Sequence, residues 1–280
     1  MTFLLILMGA LVTSNEAGDS VPDWPLAYGR VIPVGHLQGP VIFEYFHRVA
    51  AGSVGILTFV LAGWAFVRER RAAVRIVSAA AIVGIVGQAL LGGVRVRLGE
   101  SHSYGIATVH AFTAQAFLCI LTALVVLISP RWQAPGEARS SGAASRGPAV
   151  TGVAAAGALL LQGLAGAGFR HKILGVAPHV AGAVLATGLV AAAWLAARQA
   201  GARASAGSPA RTALVPARLA LWSVSAQIAL GPLTYLALQG AASLPAPAVI
   251  LAVLHLGMGS ALLAETMVLS LWTLRAARHA

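Results

Sequence analysis

The chain is poor in much of what builds a soluble or secreted domain. It has one cysteine in 280 residues, so no disulfide can form within it. Charged residues make up only 10% of the sequence, with eight acidic side chains in all. Aromatics reach 6%. That scarcity bears on the net charge of +11, because a nucleic-acid binder needs a clustered basic patch interleaved with rings on which bases stack. Nucleic acid is therefore excluded as a partner. What fills the chain instead is apolar: 58% of residues are hydrophobic and the mean hydropathy is +0.83. A soluble domain of this length would not tolerate such a composition, and membrane lipid is the expected surrounding.

A helix needs about 20 apolar residues to cross roughly 30 Å of hydrocarbon. Eight such segments are expected, over 2–13, 41–67, 72–94, 104–128, 149–168, 177–198, 214–238 and 247–274. The first is short, so its helix is thinned or tilted, or begins upstream of the recorded start. A cleaved signal peptide is the rival reading, but a positive n-region is missing. Arginines set the orientation. Arg68, Arg70, Arg71 and Arg75 follow segment two, Arg131, Arg139 and Arg146 follow segment four, and Arg198, Arg203 and Arg211 follow segment six. With Arg275 and Arg278 after segment eight, all lie on one face if both termini are cytoplasmic. The opposite face is sparser, with Arg30, Arg95, Arg97, Arg170 and Lys172. The expected location is thus a cell inner (cytoplasmic) membrane, crossed many times.

Four histidines stand at matching places: His47, His110, His179 and His255, in every second apolar segment. Ionisable groups at membrane depth are costly and usually functional. Two pairs of them in a helical bundle point to metal ligation, and heme is the usual bis-histidine guest. A proton relay or a packing role is the alternative for any one of them alone. Covalent attachment is excluded, since no Cys-x-x-Cys-His is present. All four are expected toward the outer leaflet, yet His255 lies about eight residues into its segment, roughly 12 Å deeper at 1.5 Å per residue. It joins the others only if its helix starts further out or tilts. His36, His102, His171 and His279 are read as solvated surface, and Cys119 as an inert small hydrophobe.

Glu44-Tyr-Phe-His47-Arg48 places a carboxylate and an imidazole one turn apart on one helical face. Such a carboxylate adds nothing to simple electron transfer. It can move protons, stabilise a developing cation or orient water; the structural alternative is a glutamate that snorkels outward or pairs with Arg48. No equivalent precedes the other three histidines, so the halves of the chain are expected to differ. Glu265 lies deeper and is assigned no role.

A weak internal repeat supports a division into halves. Gln88-x-x-x-Gly92, Gln162-x-x-x-Gly166 and Gln227-x-x-x-Gly231 precede His110, His179 and His255 by 22, 17 and 28 residues from the glutamine. Gly9 is a candidate remnant of a fourth copy. Small residues three and four places after each histidine would let a flat macrocycle lie against the helix, although membrane helix packing favours small residues anyway. The polar stretch 129–148 reads as a cytoplasmic linker. The expected domains are residues 1–128, a linker over 129–148 and residues 149–280, giving an all-α integral membrane protein of eight transmembrane helices in two pseudo-symmetric four-helix bundles.

Gly9-Ala-Leu-Val-Thr-Ser14, Pro22-Asp-Trp-Pro-Leu26, Glu44-Tyr-Phe-His-Arg48, the Gln88/Gly92 helix and His110 together closely resemble the heme A synthase family. His179 and His255 fit the same pattern, so the resemblance spans nearly the whole chain. It implies oxidation of a methyl substituent of heme O to the formyl group of heme A, by successive hydroxylations and loss of water. Carried over, His47 and His110 flank the substrate heme with Glu44 as the catalytic carboxylate. His179 and His255 are then axial ligands of a heme b that relays electrons. Arg48 is inferred to face a propionate by charge-assisted pairing. Asp23 and Trp24 fall in an outer loop over the substrate site. A heme O synthase that hands over substrate, an electron donor or acceptor, and a second copy in a homo-oligomer are the partners open to such a protein. One departure is clear: many members bracket the Pro-Asp-Trp-Pro-Leu loop with cysteines, where this chain has Val21 and Ala27. Two rival classes stand beside this reading. One is a di-heme b-type electron-transfer cytochrome without substrate chemistry; the other is a transporter, which would carry broken helices and polar groups at the midplane.

Overall fold

The computed structural model describes residues 1–99, 103–134, 146–239 and 244–278. Its regular elements are α-helices in chain order: α1 Thr2–Ser14, α2 Pro40–Arg68, α3 Ala72–Leu98, α4 Tyr104–Ile128, α5 Pro130–Gln133, α6 Gly147–Arg170, α7 Val176–Ala202, α8 Pro209–Thr212, α9 Leu214–Ala237 and α10 Ala246–Arg278. Among the described residues seven of these are long and apolar enough to cross a membrane. The chain is a multi-pass membrane protein. The first of the eight expected segments forms α1, whose 13 residues extend about 20 Å at 1.5 Å per residue, less than the hydrocarbon thickness.

Local chemistry explains where the helices stop and start. Gly39 with φ +56° leads into α2, and Pro40 opens it where a missing N–H costs nothing. The turn from α2 to α3 is made by Glu69, whose carboxylate accepts from the backbone N–H of Arg70 and Arg71 and pairs with the Arg71 guanidinium. These bonds hold the Glu69 carboxyl down to about 2. Gly99, at φ +70°, ends α3. Between α6 and α7 the chain turns through Lys172 at φ +60°, and Leu174 folds back onto Gly168.

The helices neighbour one another in two cycles. α1 packs on α2, α2 on α3 and α3 on α4, with a lighter contact closing α4 on α1. In the same way α6 packs on α7, α7 on α9, α9 on α10 and α10 on α6. The cycles meet where α10 touches α4 and α1 and where α4 touches α6. Across that seam Gln115 donates to Ser260 at 2.9 Å, and Phe3 and Leu7 of α1 cover Gly257. The main core cluster runs from α4 through the second cycle, with Ala155, Ala186, Val190, Ala193, Ala217, Ala220 and Leu269 buried. Alanines let backbones approach closely, which is how helices associate without a hydrophobic drive between them.

The expected linker 129–148 resolves differently at its ends. Residues 130–133 form α5, whose Ser129 cap accepts from Trp132 N–H, and Gly147 and Pro148 already belong to α6. Trp132 stacks edge-on against Trp272 with ring centres 5.1 Å apart, and Arg275 lies over Trp132 and donates to its carbonyl. Residues 135–145, with Arg139, lie outside the described residues.

Candidate functional site

The four histidines share one local arrangement. Each ring lies against the glycine that the sequence repeat singled out on the preceding long helix. A β-carbon on Gly9 would meet His47 Cε1 at 3.3 Å, and one on Gly92 would meet His110 Cε1 at 3.8 Å. One on Gly166 would meet His179 Cε1 at 2.9 Å, and one on Gly231 would meet His255 Cε1 at 3.7 Å. At Gly166 a methyl would collide, so the absence of a side chain is required by the ring. The pairs are α1 with α2, α3 with α4, α6 with α7 and α9 with α10.

His179 and His255 face one another edge to plane with ring centres 6.2 Å apart. These two rings come together although His255 lies nine residues past the start of α10 at Ala246 and His179 three past the start of α7 at Val176, which leaves α10 starting further out than α7 or tilted against it. His47 and His110 stand within electrostatic reach of one another. The Nδ1 atoms of His47, His110 and His255 are buried without a partner. Gln162 Nε2 sits 3.0 Å from His179 Nδ1 and donates to the His179 carbonyl at 2.8 Å.

Glu44 is buried, and its carboxylate is saturated. Oε2 accepts from Ser20 Oγ at 3.0 Å and from the Val21 N–H at 2.9 Å. Oε1 accepts from Arg48 Nε at 3.1 Å and Nη2 at 2.5 Å. The pairing with Arg48 is the one an i, i+4 spacing permits. The rest of the Arg48 guanidinium is spent on carbonyls of the outer loop: Asp23 at 2.6 Å, Leu26 at 3.1 Å and Val21 at 3.2 Å. These acceptors lie on the same guanidinium fork that was expected to face a propionate.

The loop over 15–39 is held by these bonds and a few more. Asp23 accepts from the N–H groups of Tyr28 at 2.6 Å and Gly29 at 2.7 Å, and the Gly29 bond is the main cause that lowers its carboxyl below the usual carboxylate range. Both backbones there have positive φ, +53° and +70°. Trp24 packs flat against Gly93 of α3, where a β-carbon would lie 2.8 Å from the ring. Val21 and Ala27, which stand where many family members carry cysteines, are both buried.

Two residues near this site were not singled out by sequence reasoning. Arg95 of α3 packs its guanidinium on Gly18, where a β-carbon would meet Nη2 at 2.1 Å, and it acts electrostatically on His47, His110 and His171. His171, expected on the solvated surface, is half-buried; burial first, then the charges of Arg95 and Arg170, push it down to about 4. His36 is exposed as expected, though stacked on Tyr28 with ring centres 4.0 Å apart. His102 and His279 lie outside the described residues. Cys119 is buried and free. Glu265 faces Ser223, with Oε2 buried and unpartnered. Among the described residues no three His, Cys, Asp or Glu side chains converge as a metal cluster.

Residues 1–177 match the model of the cytochrome oxidase assembly protein family. The chain belongs to that family. The matched stretch contains Glu44, His47, Arg48 and His110 and ends two residues before His179, so His255 also lies beyond it. Curated relatives agree: the chain is 35% identical over 130 residues to a protein named heme A synthase from Halalkalibacterium halodurans, covering 41% of this chain and 42% of the relative. It is likewise 35% identical over 130 residues to the one from Alkalihalophilus pseudofirmus, covering 44% and 41%. The one from an Exiguobacterium species is 34% identical over 125 residues, covering 42% and 41%. The chain thus aligns with less than half the length of each of these relatives. No solved structure matches it.

Proposed function

We propose that this assembly-family protein is a heme A synthase, which oxidises a methyl substituent of heme O to the formyl group of heme A. The observation that carries the reading is the asymmetry between two paired-histidine sites. One has a buried, fully bonded carboxylate one turn before a histidine; the other has none. The names of the curated relatives point the same way.

His47 and His110 would flank substrate heme O. Glu44, held by Arg48, Ser20 and Val21, is better suited to be a fixed negative charge than a proton carrier, because every lone-pair direction it uses is already occupied. Such a charge beside the reacting methyl stabilises positive character that develops on carbon during oxidation, and being preorganised it needs no rearrangement. Arg95 is a further candidate for the propionate contact beside Arg48: its guanidinium lies within electrostatic reach of both histidines and suits a propionate carboxylate. The outer loop, clamped over this end by Arg48 and Trp24, would exclude water.

His179 and His255 fit a resident heme b. Their rings approach to 6.2 Å between centres, so the two imidazoles would be the residues to hold one heme iron between them. The unpartnered Nδ1 of His255 leaves its ring undistracted by a competing bond. Such a heme supplies one-electron transfer when bound. The residues around it position the rings and keep water out.

The neighbour pattern of the helices supports two pseudo-symmetric bundles over residues 1–128 and 149–280, with α1 as an eighth, thin span. The arginine distribution supports cytoplasmic termini and sites toward the outer face of the cytoplasmic membrane. Hand-over from a heme O synthase within the bilayer suits a substrate this apolar. The test is expression in a membrane that makes heme O, followed by extraction and identification of the hemes. Heme A is the expected product; heme b with unchanged heme O would overturn the proposal.

A further inference from the structure

We propose that the glutamine four residues before each glycine of the repeat is the positioning residue for the histidine on the next helix, and that Leu5, in the same place before Gly9, leaves His47 as the one member of the four without a side-chain amide to hold it. The inference rests on the reading of these histidines as heme ligands and goes beyond it.

Three copies show the glutamine reaching the same part of the neighbouring helix. Gln162 Nε2 lies against both Nδ1 and the carbonyl of His179. Gln88 Nε2 donates to Thr113 Oγ1 at 2.6 Å and approaches the His110 carbonyl at 3.4 Å. Gln227 sits so close to the turn after His255 that a β-carbon on Gly259 would lie 2.7 Å from its Nε2. A β-carbon on Gly182, one turn after His179, would lie 2.3 Å from Gln162 Oε1. The glycines after the histidines therefore make room for the amide, as the glycines before them make room for the ring.

A ligating histidine offers one nitrogen to the metal and needs a partner for the N–H on the other; that partner fixes the ring and raises its basicity. At His179 the amide faces Nδ1, which turns Nε2 toward the ligand. Gln162 Oε1 and Gln227 Oε1 are both buried with no partner, and a buried acceptor left empty is costly. Turning the amide over would let that oxygen accept from Nδ1–H once Nε2 is bound. At His255 the empty acceptor and the empty ring nitrogen lie on the same helix pair. At His47 no side-chain amide exists: Leu5 takes the glutamine's place and only its backbone approaches the ring, while Nδ1 makes no side-chain hydrogen bond. A ligand free to swing is what an exchanging substrate needs, and a ligand locked in place is what a resident cofactor needs.

The test measures heme itself rather than turnover. Full-length protein in detergent is loaded with heme b, and its loss to an apomyoglobin trap is timed, together with the low-temperature EPR spectrum of the oxidised form. Gln162→Leu should speed loss of the slowly released heme roughly 10- to 100-fold, the usual range for removal of such a partner, and shift its low-spin signal. Gln162→Glu, which keeps an acceptor, should restore slow release and thereby exclude a folding defect as the cause. Leu5→Gln should slow release from the faster site. Unchanged release and signal in Gln162→Leu would overturn the proposal. Wild-type protein that holds no slowly released heme would instead overturn the heme reading beneath it.

Discussion

The first and second helical cycles hold the same histidine–glycine pairs in different company. The second cycle, together with α4, carries the larger buried core, from Cys119 to Trp272, most of it more than a turn away from His179 and His255. In the first cycle the buried cluster is small: Val54, Ala81, Ile85 and Phe117. Polar bonds replace that packing at the outer end, where Glu44, Arg48 and Asp23 organise a loop. A tight core suits a cofactor that stays; a small core under a hydrogen-bonded cover suits a substrate that must come and go, since regions with few buried contacts open most readily.

Breaking the comparison should have its largest effect at the dense end. His255→Ala should abolish the stably bound heme b, read as loss of the low-spin optical bands in purified protein, while His110→Ala should leave those bands in place. A di-heme cytochrome with two permanent hemes would lose bands in both variants. Next in size is Glu44→Gln, which keeps the shape and removes the charge. Formyl formation should fall about 10²- to 10³-fold, as for the removal of one preorganised electrostatic group, with the second heme retained; turnover close to wild type would remove Glu44 from the chemistry. Arg95→Leu should weaken heme O binding about tenfold, equivalent to roughly 1.4 kcal/mol, with heme b release untouched, as followed by titration.

The smallest effect concerns pH. His171 is pushed from its usual 6.5 down to about 4, so between those values the folded chain binds fewer protons than the unfolded one. The stability this gives is complete above 6.5 and is lost as the pH falls toward 4. His171→Leu should flatten that stretch of the melting-temperature profile in detergent; an unchanged slope would place the acid sensitivity elsewhere.

The long membrane helices and the glycines against which the histidine rings lie were legible in the chain, because apolar length and a recurring Gln-x-x-x-Gly are local signals. The pairing of Glu44 with Arg48 was also available as an alternative from their spacing. What was hidden depends on the loop over 15–39, whose path no periodicity encodes: the carbonyls of Val21, Asp23 and Leu26 that occupy Arg48 cannot be foreseen from composition. Arg95 was hidden for another reason. It looked like one more charge at a membrane boundary, and only the close approach of Gly18 and three histidines sets it apart. His171 lies within the electrostatic reach of that same arginine. The thinness of α1 was visible as a short apolar run, and the helix adds a single residue to it.

The recurrence of one glycine–histidine contact in four helix pairs has a consequence for how the molecule can be taken apart. Neither member of a ligand pair shares a hairpin with the other, so each site is a joint between two hairpins. A cut between α2 and α3, or between α7 and α9, would part the members of one site, whereas a cut between α4 and α6 would part none. The smallest fragment that could carry a complete site is four helices long, and the chain contains two.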